Sequence, residues 1–85
     1  MAAIRVYSTR TCFYCMAARR LLHRLGLDFE EIDVTGDDAT RHWLVEASGQ
    51  RTVPQIFFGD TSIGGYTDLV RLERAGELPR LLAEG

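Results

Sequence analysis

Ile4 and Val6 alternate with Arg5 and Tyr7, a period of two that predicts a first strand over residues 2–8 with two unlike faces. Beyond it the period changes. Ala18, Leu21, Leu22 and Leu25 recur at i, i+3, i+4 and i+7, while Arg19, Arg20, His23 and Arg24 fill the opposite face, so an amphipathic helix over 13–25 is predicted. Gly26 follows the last leucine, where a positive φ can close the helix, and Arg24 suits the negative end of the helix dipole.

Phe29, Ile32 and Val34, interleaved with Glu30, Glu31 and Asp33, predict a second strand, with Phe29 out of phase with the other two. Asp37 and Asp38 are good helix starters. Ala39, Trp43, Leu44 and Ala47 then form an apolar stripe that reads as core, and Gly49 supplies a stop. Ile56-Phe57-Phe58 is a short apolar run, and Gly59-Asp60 turns the chain into Thr61-Ser62-Ile63, a hairpin that Gly64-Gly65 ends. Thr67 or Asp68 can cap a last helix carrying Leu69, Val70 and Leu72 and stopping at Gly76; a short helical tail through Leu81-Leu82 packs below.

The order β-α-β-α-β-β-α predicts an α/β fold. A right-handed βαβ unit makes the first two strands parallel, and the hairpin pairs antiparallel, so a mixed four-stranded sheet flanked by helices is expected. At 85 residues, without a linker or repeat, the chain reads as one domain over 1–85.

Composition narrows the function. The hydrophobic share of 46% is too high for a disordered chain, and the uncharged runs at 11–18 and 52–59 are far too short to span a bilayer. Ten basic against 12 acidic side chains give a net charge of -2, so neither nucleic acid nor a membrane is an expected partner. The first residues reach a charge at Arg5 without the apolar core of a secretory signal, and a cytoplasmic location is expected.

The two cysteines carry the chemistry. A disulfide within Cys12-Phe13-Tyr14-Cys15 closes too short a loop to constrain the unfolded chain much, so stability is a poor reason for the pair. A structural zinc site needs about four ligands, and His23 and His42 fall on solvated helix faces. Redox chemistry explains the pair better. Where the first strand meets the first helix, Cys12 faces the unpaired N–H groups and positive dipole end of the helix, which favour its thiolate, and Arg10 adds a nearby positive charge. Cys15, one turn further in, points to nearly the same side but into apolar surroundings. Cys12 is therefore read as the nucleophile and Cys15 as the resolving thiol that can close an intramolecular disulfide.

Two more segments extend the pattern. Thr52-Val53-Pro54-Gln55-Ile56-Phe57 matches T-V-P-x-I-F, and Gly64-Gly65-Tyr66-Thr67-Asp68-Leu69 matches G-G-x-x-D-L, each at the distance from the C-x-x-C that glutaredoxins show. Over nearly its whole length the sequence resembles the small bacterial dithiol glutaredoxins of the thioredoxin superfamily. The resemblance implies a thioredoxin-like fold and glutathione-dependent reduction of disulfide-containing or glutathionylated proteins, by a monomer without a metal. It also implies a cis bond before Pro54, which aims the Val53 backbone at the cysteine of glutathione. Thr52 and Gly65 are placed in the same groove, with Asp68 on the γ-glutamyl amine, Thr67 and the helix amides on its carboxylate, and Tyr14 beside the sulfur. Arg10 and Arg41 are both candidates for the glycine carboxylate, because Thr9 stands where many relatives carry a basic residue. Phe13 stands where dithiol relatives usually have proline.

Other classes remain open at this level. An iron–sulfur cluster held between two subunits through Cys12 and glutathione is one alternative. A redoxin reduced by thioredoxin reductase is another, opposed by the 64–68 segment. Asp68 is as plausible an N-cap as a ligand contact, and Tyr66 either shapes the groove or covers it.

Overall fold

A computed structural model describes residues 2–84; Met1 and Gly85, the ends of the expected domain, lie outside the described residues. Eight elements follow in order: β1 (Ile4–Ser8), α1 (Phe13–Arg24), β2 (Glu30–Asp33), α2 (Asp38–Ser48), β3 (Gln55–Phe58), β4 (Thr61–Gly64), α3 (Tyr66–Arg74) and α4 (Leu78–Glu84). The strands form one mixed sheet in the order β2-β1-β3-β4. β1 runs parallel to β2, with Val6 opposite Glu31, and antiparallel to β3, with Val6 opposite Ile56. β3 and β4 are the expected antiparallel hairpin.

The two-residue period of β1 divides the core into two layers. Ile4 and Val6, with Ile56 and Phe58 of β3, pack against Ala18, Leu21 and Leu22 of α1, Leu69 of α3, and Leu78 and Leu82 of α4. Tyr7 and Phe57 point to the other face, where α2 supplies Leu44 and the chain after β2 supplies Val34. The tail is nearly two turns of helix, and it clamps the chain entering the first strand, because the Ala2 N–H donates to the Leu82 carbonyl at 2.9 Å.

Three expectations need correction. Ala39 and Ala47 are exposed, and Trp43 keeps 42% of its surface in water, so the stripe on α2 is narrower than its sequence period implies. The Trp43 ring lies against Tyr7 and Phe57, with centroids 5.6 Å from each, and caps the edge of that layer without entering it. Phe29 precedes β2; it packs against the α1 layer and meets His23 edge-on at 5.3 Å, which explains its wrong phase. Neither Thr67 nor Asp68 caps α3, which begins at Tyr66 with Gly65 in the cap position.

Candidate active site

α1 starts at Phe13, so Cys12 is its N-cap, with extended backbone at φ -140° and ψ 111°. Its sulfur takes the part that a serine or aspartate oxygen plays in other helices. The Cys15 N–H, left unpaired by the helix itself, donates to Cys12 Sγ at 3.1 Å. This contact places a donor where negative charge forms when Cys12 ionises.

Cys15 is fully buried, while Cys12 is half-buried. Burial pushes the Cys15 thiol up to about 12, and its hydrogen bond with Cys12 adds to the shift, while the Thr9 backbone and the Arg19 charge act against it. The two sulfurs are thus chemically unlike: one is accessible and held by an amide, the other protonated and shielded.

The Val53–Pro54 peptide is cis, as the resemblance implied. The Val53 carbonyl accepts from the Cys12 thiol at 3.6 Å, which brings the start of β3 beside the reactive sulfur. From that point a groove of about 320 Å³ opens between two backbones: Thr52, Val53 and Pro54 on one side, Gly65, Tyr66, Thr67 and Asp68 on the other. Tyr14 also lines it, and its ring lies 6.0 Å from that of Tyr66.

Glycine is needed at position 64, just before the groove wall, for a steric reason: Gly64 has φ +106°, and a Cβ there would lie 2.3 Å from Asp68 Oδ2. At Gly65 a Cβ would lie 3.4 Å from the Pro54 carbonyl oxygen, an ordinary contact. Asp68 sits in the first turn of α3 and accepts from the Gly65 N–H at 2.9 Å, while Arg71 contacts its other oxygen at 3.3 Å. The Gly65 amide, followed by Arg71, holds the Asp68 carboxyl below the usual carboxylate range. Asp68 therefore stabilises the helix start as well as lining the groove.

The structure brings together Cys12, Cys15, Tyr14, Thr52, Val53, Pro54, Gly65, Thr67 and Asp68. It does not bring Arg10 to the groove. Arg10 is exposed, pairs with Asp33 at 3.5 Å, and lines a separate hollow with Thr11, Cys12, Phe13 and Met16. Arg41 donates to the Arg51 carbonyl at 3.5 Å and is likewise absent from the groove lining. Tyr66 lines the groove. Gln50, which nothing in the sequence singled out, also lines it, fixed by the Gln55 side-chain amide at 3.0 Å. Among the described residues no cluster of three or more histidine, cysteine or acidic side chains could hold a metal ion, and no helix is long and apolar enough to cross a membrane.

A two-cysteine helix start facing a cis-proline strand in this mixed sheet defines a thiol–disulfide oxidoreductase of the thioredoxin superfamily. Comparison with known proteins makes the assignment narrower. The glutaredoxin family model matches residues 4–63. A glutaredoxin of Pseudomonas aeruginosa is 46% identical over 83 residues, covering 98% of this chain and 99% of that protein. Glutaredoxin 3 of Escherichia coli is 42% identical over 82 residues, covering 96% and 99%. Among solved structures, a buckwheat glutaredoxin–glutathione complex superposes with a TM-score of 0.89 at 32% identity, covering 98% of this chain and 78% of that one. The glutaredoxin of Brucella melitensis gives 0.85 at 41% identity, covering 96% and 89%. The chain belongs to the glutaredoxin family.

Proposed function

We propose that this oxidoreductase takes its electrons from glutathione and reduces protein disulfides and glutathione mixed disulfides. The observation that carries the reading is the groove beside Cys12 Sγ, bounded by the Val53 backbone and the start of α3. An extended tripeptide lying there can pair its central cysteine with the Val53 backbone. Its γ-glutamyl carboxylate meets the first-turn amides of α3 and the Thr67 hydroxyl, where the helix dipole favours an anion. Its amine meets Asp68, whose carboxylate is ionised at neutral pH. The buckwheat relative, solved as a complex with glutathione, supports the same reading.

The chemistry follows from the asymmetry of the sulfurs. The Cys12 thiolate attacks the glutathione sulfur of a mixed disulfide; the old S–S bond breaks and the target leaves as a thiolate that takes up a proton. A second glutathione thiolate then attacks the glutathione sulfur on Cys12, releasing glutathione disulfide and restoring the Cys12 thiolate. With a protein disulfide, Cys12 bonds to one target sulfur. Cys15 loses its proton, attacks Cys12 Sγ, expels the target as a dithiol and closes the Cys12–Cys15 disulfide, which two glutathione molecules reduce.

The test is a coupled assay of glutathione mixed-disulfide reduction, run with glutathione and glutathione reductase beside thioredoxin reductase. Turnover in the first system alone is expected. Turnover supported only by thioredoxin reductase would overturn the glutathione assignment.

A further inference from the structure

Phe13 is the most exposed large apolar side chain among the described residues, with 89% of its surface in water one residue from the nucleophile. Single exposed apolar residues are common, but this one is not isolated. It shares a hollow with Met16, itself 39% exposed, and with Arg10, Thr11 and Cys12. That hollow and the groove described above have no lining residue in common. Cys12 joins them: it lines the hollow, and its sulfur lies 3.6 Å from the Val53 carbonyl in the groove wall.

We propose that the Phe13–Met16 hollow docks the polypeptide of a protein disulfide substrate and favours an aromatic or aliphatic residue next to the reacting cysteine. A tripeptide is short enough to end within the groove. A polypeptide bonded through its cysteine to Cys12 must continue beyond that sulfur, and the adjoining surface is the hollow. Its charge is already balanced, because Arg10 pairs with Asp33, so apolar contact with Phe13 and Met16 is the recognition it offers.

The inference rests on the oxidoreductase activity and not on glutathione as reductant, so the test leaves glutathione out. Protein fully reduced at Cys12 and Cys15 is mixed in a single turnover with two disulfide peptides alike except for phenylalanine or serine beside the attacked cysteine. The enzyme dithiol becomes the Cys12–Cys15 disulfide and the peptide disulfide becomes a dithiol, with two electrons and two protons passing to the peptide. Bis(2-hydroxyethyl) disulfide is the control that carries no polypeptide.

Wild type should reduce the phenylalanine peptide about tenfold faster than the serine peptide, a difference of about 1.4 kcal/mol in transition-state binding. Phe13→Ser should erase that preference and leave the serine peptide and the small disulfide within twofold; Phe13→Leu should restore most of it. Equal peptide preference in wild type and Phe13→Ser would overturn the proposal. So would an equal slowing of all three substrates, which would place the effect of Phe13 on the Cys12 sulfur itself. Self-association that Phe13→Ser abolishes would assign the patch to a second copy of the chain and overturn it as well.

Discussion

The Cys15 amide donates to Cys12 Sγ at 3.1 Å, so each cysteine has a second task beyond its thiol: Cys12 caps the helix, and the Cys15 backbone holds the nucleophile. The spacing of the motif follows from this geometry. An N-cap side chain reaches the amide of the third helical residue, and with Cys12 as cap that residue is Cys15. The contact belongs to the backbone, so replacing the Cys15 side chain leaves it in place.

Burial of Cys15 predicts a loss of stability at alkaline pH in the reduced protein. The folded thiol keeps its proton up to about 12, against an ordinary value of 9.0. Below that ordinary value both states hold the proton and the effect is absent. Above it the unfolded chain binds fewer protons than the folded one, so stability falls with rising pH, by up to about 1.4 kcal/mol per unit for one group. Denaturant unfolding between neutral pH and the alkaline limit should show a steeper fall in wild type than in Cys15→Ser. Parallel pH profiles would contradict the burial argument.

Gly64→Ala should damage both fold and groove. The substitution puts a Cβ 2.3 Å from Asp68 Oδ2 at a φ of +106°, so either the backbone or the carboxylate must move. We expect a loss of about 1 to 3 kcal/mol in chemical denaturation and a raised KM for glutathione. Gly36→Ala is the control: its φ is +73°, but nothing lies within 4 Å of the added carbon, so only the backbone cost of about 1 to 2 kcal/mol applies.

The two roles of Asp68 can be separated. Asp68→Asn keeps an oxygen for the Gly65 N–H but loses the charge, whereas Asp68→Ala loses both. Each should lower kcat/KM for glutathione by about tenfold or more, since a charge-assisted contact is worth about 1.5 to 3 kcal/mol. Both should lose the stability that the charge contributes, and the alanine variant should lose about 0.5 to 2 kcal/mol more because the bond to the Gly65 N–H goes as well. The lowered Asp68 carboxyl stabilises the fold above its unfolded value, and this contribution is lost as pH falls through the folded value. Acid unfolding should therefore be less steep in Asp68→Ala.

Phe13→Pro should stabilise the protein by about 0.4 to 1 kcal/mol. Phe13 is the first helical residue, where the helix makes no use of the N–H, and Cys12 before it is already extended, as a residue preceding proline must be. Thermal melting of the reduced variant checks the sign. A destabilised variant would show that the Phe13 amide or backbone is needed in its present form.

Periodic elements were legible in the sequence because burial imposes the period. α1 buries one face, β1 sends alternate residues into the two core layers, and Gly26 and Gly49 follow their helices with φ of +73°, so pattern and stop signals agree with the structure. α2 was harder to read. Only Leu44 is buried there, because the helix lies over a thin layer, and Trp43 merely roofs Tyr7 and Phe57. At α3 a glycine occupies the cap, and the usable signal was Asp68, whose carboxylate reaches back to the Gly65 N–H. The C-x-x-C, T-V-P and G-G-x-x-D segments lead to one place because each is a local backbone device. Gln50 and the Arg10–Asp33 pair depend on contacts between distant segments, and no local pattern announces them.

The most direct test of the assignment compares Cys12→Ser with Cys15→Ser in glutathione-driven reduction of a glutathione mixed disulfide. Cys15→Ser should retain turnover, because its backbone N–H still serves Cys12 Sγ and glutathione alone regenerates the nucleophile, although it cannot close the intramolecular disulfide. Cys12→Ser should show none, since the remaining thiol is buried and protonated. Turnover by Cys12→Ser at the wild-type rate, with none by Cys15→Ser, would contradict the account and reverse the roles of the two cysteines.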